Sequence, residues 1–188
     1  MNFDSHVLRL LTVTVRLVNE LTPGRAGTQP VEVPTGRAGA SAVAEILALG
    51  GPPPRVTQQE ATRLTAAAAE LRAVFEAADA GDVDEGARVV NALLARTRAR
   101  PQLDKFADGR WSLHFHGAGD SLVVGWAAGC ASALALALGS DLAGRLGVCD
   151  APTCDRVYVD ESKNGTRRFC SVRCQSRVKA AAHRSRHG

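Results

Sequence analysis

Cys149, Cys154, Cys170 and Cys174 read C-x4-C-x15-C-x3-C, two local pairs of thiols close to the end of the chain. A short tight loop lets one pair supply two ligands from a single turn. Cys149 and Cys154 enclose Asp-Ala-Pro-Thr, where Pro152 restrains the loop. Cys170 and Cys174 are four apart, which on a helix sets both on one face, one turn apart. Four thiolates in this pattern suit one zinc ion held tetrahedrally, and four free thiols or two disulfides are the alternatives. With all four positions filled by protein no place remains for water, so such an ion would be structural rather than catalytic.

The same segment carries the positive charge. From Cys149 onward there are nine Lys/Arg against four Asp/Glu, and no acidic residue follows Glu161. The preceding residues hold 14 Lys/Arg and 15 Asp/Glu. A near-neutral body bearing a basic end suggests a contact surface for a polyanion. Lys163, Arg167 and Arg168 fall between the cysteine pairs, and Arg173, Arg177, Lys179 and Arg184 on the last expected helix. These are the candidate nucleic-acid contacts, through phosphates and hence salt-dependent. Ser162, Asn164, Gln175 and Ser176 could add hydrogen bonds. A zinc tetrathiolate is itself anionic, so some of these cations are expected to serve the site. His183 and His187 read as solvated tail residues.

The elements that position these groups follow from local pattern. Arg156-Val-Tyr-Val is expected as a strand, Asn164-Gly165 as a turn and Arg167-Arg168-Phe169 as the return. A knuckle, a hairpin and a helix would then close round the metal in a treble-clef-like arrangement. Upstream, apolar residues from Ser5 to Leu21 recur at helical spacing, although LTVTVRLV also suits a strand. Asn19 in that run is either a buried hydrogen-bonding group or a cap. Residues 22–39 read as a loop, and Ser41 as the cap of a short helix through Leu49. Thr57 and Glu60 form a capping box for a helix from Gln58 to Ala80. A second helix spans Asp82 to Arg98.

Trp111, Leu113 and Phe115 alternate with Ser112, His114 and His116, which predicts a strand in a hairpin preceded by the turn Asp108–Gly109. Two histidines at i and i+2 can bind a metal or line a pocket. The preferred reading is an exposed polar face opposite Trp111, Leu113 and Phe115. An apolar helix then runs from Asp120 or Ser121 to about Leu138, with Cys130 as a buried thiol. The fold expected is mainly α with a small β component. Residues 1–143 form a helical domain and residues 144–188 the zinc finger with its basic helix.

Hydrophobic residues make up 45% of the 188 and aromatic residues 4%. Alanine, leucine and valine must therefore fill the core. The longest apolar stretch is short for a membrane span and is interrupted by Gly125, Gly129 and Ser132, so no membrane partner is expected. No secretory leader is expected either, which places the chain in a reducing cytoplasm, associated with DNA. No H-E-x-x-H, phosphate-binding glycine loop, G-x-S-x-G or H-x-E deaminase pattern occurs, and no enzyme activity is expected.

The strings Cys149-Asp-Ala-Pro-Thr-Cys154, Ser162-Lys-Asn-Gly165 and Phe169-Cys-Ser171 resemble a CGNR-type zinc finger. The string that names the family reads here Cys174-Gln175-Ser176-Arg177, matching at the cysteine and the arginine. Such fingers usually follow a helical domain called ABATE in proteins regarded as stress-induced transcription regulators. The resemblance implies double-stranded DNA as partner, with the N-terminal domain sensing a small molecule or forming a homodimer. A zinc-stabilised module for protein interaction or RNA binding is the alternative.

Overall fold

The computed structural model describes residues 5–105, 109, 111–119, 121–140 and 142–187. Asp108 and Asp120, which figured in the expected turn and helix start, lie outside these. Among the described residues the chain is mainly helical, with three two-stranded antiparallel sheets.

Helix α1 (Ser5–Leu21) is the central element, packed against α2 (Gly36–Ala48), α3 (Gln58–Asp79) and α5 (Leu122–Leu138). Its β-branched run does not become a strand. Leu10, Leu11, Val13, Leu17, Val18 and Leu21 are all buried, so tertiary packing outweighs the weak local β preference. Thr12, Thr14 and Thr22 turn their hydroxyls back to the carbonyls of Leu8, Leu10 and Val18, which satisfies them within the helix. Gly129 of α5 lets that helix close on α1: a Cβ there would stand 3.0 Å from Leu10.

Residues 22–39 are not the expected loop. They contain a small hairpin, β1 (Gly24–Ala26) with β2 (Gln29–Val31), and α2 already begins at Gly36. Ser41 lies inside that helix and caps nothing; the N-cap position is Thr35, whose side chain makes no capping bond. The capping box at α3 is present as expected, with Thr57 accepting from the Glu60 backbone and the Glu60 carboxylate from that of Thr57. Asp82 caps α4 (Val83–Thr97) by accepting from the Glu85 N–H. Helix α5 begins after Ser121, with no capping bond from its side chain.

Strand β3 (Arg100–Lys105) pairs with β4 (Trp111–His116), with Gln102 opposite His114 and Asp104 opposite Ser112. The burial of β4 differs from the expectation. Trp111 is 63% exposed, Ser112 is buried and both histidines are half-buried. The hairpin is anchored at the Phe115 end, where β4 meets α5, and its Ser112–His114 face turns toward the start of α1. Trp111 lies further out, beneath the Lys105 ammonium at 5.8 Å.

A short 3-10 turn (Ala143–Arg145) leads into β5 (Leu146–Val148), which pairs with β6 (Val157–Val159). Leu146, Val157 and Val159 join the helical core. The expected strand at 157–159 therefore exists, but its partner is β5 and not residues 167–169. The chain ends in α6 (Val172–His187).

Candidate metal centre and basic helix

The knuckle is the tip of the β5–β6 hairpin. Cys149 follows β5 and donates its N–H to the Arg156 carbonyl at 2.9 Å, and Cys154 donates to Ala151 at 2.9 Å. The second pair straddles the start of α6: Cys170 lies two residues before it and Cys174 in its first turn, so the two do not share a helix face as expected, and Ser171 Oγ accepts from the Cys174 N–H at 3.3 Å. The four sulfurs lie within 4.8 Å of one another. Cys154 and Cys170 are 3.7 Å apart and Cys170 and Cys174 3.8 Å. A tetrahedron of sulfurs about 2.3 Å from a central zinc has edges of about 3.8 Å. A disulfide would need about 2.05 Å, so the paired-disulfide alternative does not fit. The residues present could hold one zinc ion.

Burial raises the Cys149 and Cys170 thiols, and neighbouring sulfurs add to the rise at Cys170. Cys154 is also buried, but the Gly27 and Arg156 backbone N–H groups and neighbouring thiols outweigh that and lower it. Gly27 belongs to the turn of the β1–β2 hairpin, so the body supplies a donor to the metal site. The same hairpin exchanges backbone bonds with the knuckle: Asp155 N–H donates to the Arg25 carbonyl, and the Arg25 N–H to the Asp155 carboxylate.

Two further residues fasten the finger to α1. Arg156 is buried, and its guanidinium donates to the carbonyls of Asn19, Thr22 and Pro23 and to Asp155. It thereby satisfies carbonyls at the C-terminal end of α1, where a cation is favoured. The Asn19 amide bonds to both backbone groups of Val157, at 2.9 and 2.8 Å. Of the two readings of Asn19, the hydrogen-bonding group is correct. Arg156 carries no sequence signal for this role; Asn19 did, as a polar residue in an apolar run.

The seven candidate contacts divide. Arg167 is structural: it donates to the carbonyls of Val159, Phe169 and Cys170 and covers the Tyr158 ring at 5.3 Å. Its backbone N–H, with that of Ser162, is taken by the buried Asp160 carboxylate at 2.8 Å. The expected turn at Asn164-Gly165 forms within this loop, with Gly165 at φ +61°. Arg177 lies half-buried over Gly27, where a Cβ would meet its Nη1 at 2.0 Å. That Nη1 is buried without a hydrogen-bond partner among the described residues. The side chain thus covers the turn whose Gly27 N–H supports Cys154. Arg168 pairs with Asp150 at 2.5 Å yet stays largely exposed. Lys163, Arg173, Lys179 and Arg184 are exposed.

Helix α6 leaves the body early. Cys174 is buried and Val178 packs beside it, while residues 179–186 are exposed on every side. Gln175 and Ser176 are also exposed, so the two departures from the family string lie on the solvent face.

A tetrahedral cluster of four cysteines on a hairpin tip and a helix start defines a zinc-binding module carried by a helical body. Residues 145–187 match the family of the CGNR zinc finger. No curated protein matches the chain.

Proposed function

We propose that this protein is a DNA-binding transcription regulator whose zinc ion is structural. The observation that carries the reading is α6. From Lys179 to Arg186 its residues are exposed, and it bears Lys179, Arg184 and Arg186, with exposed Arg173 beside buried Cys174 at its start. A polar helix this exposed gains little from tertiary packing. A polyanionic groove would cover this exposed face and match its charge. The zinc anchors the helix through Cys170 and Cys174, so metal binding sets the direction in which the basic face points.

The element order upstream fits an ABATE-like domain, and a stress-responsive regulator is the role that similarity supports. A cleft between α1 and the finger, lined by Thr12, Arg16, Tyr158 and Arg167 among others, holds about 150 Å³, and one between α2 and α3 about 80 Å³. Drug-sized ligands occupy roughly 300–1,000 Å³. We assign the body the positioning of the finger first, on the bonds that Asn19 and Arg156 make between the two, with sensing of a small molecule second. Among the described residues no helix is long and apolar enough to cross a membrane. The protein would act where DNA is, with no catalytic step of its own.

The test is fluorescence anisotropy of the zinc-loaded protein on a random-sequence DNA duplex across a salt series. Tight binding that weakens steeply with salt is expected, and an Arg173→Ala/Lys179→Ala/Arg184→Ala variant should show a shallower salt slope by about 3, one per lost phosphate contact. Unchanged affinity and slope in that variant would refute DNA binding through α6. Binding to single-stranded RNA but not to the duplex would transfer the same surface to RNA.

A further inference from the structure

A second cluster of metal-ligating side chains lies on the opposite part of the body, built from α1, β3 and β4. His116 Nε2 is 2.7 Å from Asp104 Oδ2, and His114 Nδ1 is 3.8 Å from the same oxygen. His6, in the first turn of α1, sets its ring 4.2 Å from that of His114. The other carboxylate oxygen, Oδ1, accepts from the Gln102 side chain at 2.8 Å. Hydrogen bonding from His116 and Gln102 keeps the Asp104 carboxyl below its ordinary range, so it is ionised near neutrality.

We propose that His6, His114, His116 and Asp104 form a second metal site, of three imidazoles and one carboxylate, for a borderline divalent ion such as Zn²⁺ or Co²⁺. Ligand type argues for this class: imidazole suits late first-row ions, and neutral imidazole is a common ligand form. Spacing argues for it too. Nitrogen and oxygen ligands each about 2.1 Å from a tetrahedral ion stand about 3.4 Å apart. The observed 2.7 and 3.8 Å to Asp104 bracket that value, while the His114 and His116 rings, 6.3 Å apart, would have to turn toward one another to share an ion. Gln102 holds the ligating carboxylate by its outer oxygen, which is the orienting role that metal-site neighbours perform. A bound ion would join the start of α1 to the β3–β4 hairpin, two parts of the body that sequence separates by about a hundred residues.

The experiment uses the full-length protein with one equivalent of zinc already on the cysteines, titrated with Co²⁺. One further equivalent is expected, giving ligand-field bands without the near-ultraviolet thiolate charge transfer that occupancy of the cysteine site would give. Proton spectra should show the ring signals of His6, His114 and His116 shifted by the paramagnetic ion. Asp104→Asn and His6→Ala should each weaken this equivalent about tenfold or more, and His114→Ala/His116→Ala should abolish it. His183→Ala/His187→Ala should retain it, which separates the cluster from the tail histidines. The proposal is overturned if no second equivalent binds, if it survives the His114/His116 substitutions, or if it is lost with the tail pair. Should the double variant fail to fold, the His6 and Asp104 single variants and the wild-type ring shifts decide the matter.

Discussion

The side chain of Asn19 pairs with the backbone of Val157 as a neighbouring strand would, accepting its N–H and donating to its carbonyl. One residue at the end of α1 thus completes the free edge of β6, the strand that leads out of the zinc knuckle. Asn19→Ala leaves both Val157 groups without this partner in a partly buried place. A loss of about 1–3 kcal/mol in unfolding free energy is expected. Zinc release to a competing chelator should also be faster. Urea denaturation and chelator kinetics measure the two, and an effect on neither would show that water replaces the amide at no cost.

Metal removal should separate the five cysteines into two classes. Cys130 is buried in α5, and burial pushes its thiol up to about 11. At pH 8 only about one part in a thousand is then thiolate, the reactive form. A disulfide reagent added after chelation should modify four thiols quickly and the fifth only in denaturant. With zinc in place the four should be protected. Five fast thiols after chelation would mean that loss of the metal opens the helical core as well.

Gly27 faces two constraints at once. Its φ is +64°, and a Cβ would overlap the Arg177 guanidinium. Gly27→Ala should therefore loosen the β1–β2 turn from the finger and weaken zinc binding, because the Gly27 N–H also supports Cys154. Arg177→Ala in the same background should recover part of the loss by removing the overlap. A double-mutant cycle in zinc affinity checks this, and strict additivity would argue against the contact.

Asp160 gives the site a pH dependence of known sign. Burial opposes its ionisation, but hydrogen bonds from Ser162 and the Arg167 N–H prevail and lower its pKa below the ordinary carboxylate value. A lowered folded pKa contributes stability that is present above the unfolded value, about 4, and is lost as pH falls through the folded one. Asp160→Asn should destabilise the protein by about 1–3 kcal/mol near neutrality, since its amide presents donors where the loop offers N–H groups. Wild type and variant should converge below about pH 4. Comparing the two at each pH removes the proton-driven metal release common to both, and a gap that persists in acid would contradict this account.

Much of the candidate centre is legible in the chain because its constraints are local. Two close cysteine pairs, one flanking a proline-restrained loop, specify a ligand set without distant residues, although Cys170 precedes α6 and does not share a helix face with Cys174. The same holds for the capping box at Thr57 and Glu60 and for the turn at Asn164-Gly165. Charge is legible as well, since the absence of acidic residues after Glu161 needs no fold to be seen.

Tertiary structure decided what depends on partners far along the chain. The alternation in β4 fixes which residues share a face, but only the packing of β4 against α1 and α5 shows that the Ser112–His114 face turns inward while Trp111 stays exposed. The pattern of β6 marks a strand, but pairing is a choice between possible edges, and the apolar side chains of Leu146 and Val148 made β5 the better one. The roles of the arginines follow the same logic. A guanidinium looks alike in sequence whether it faces solvent, as at Arg173, or three backbone carbonyls, as at Arg167. Where the unsatisfied carbonyls and thiolates lie is a property of the folded chain, and that placement separates the cations that hold the finger together from those free to meet a partner.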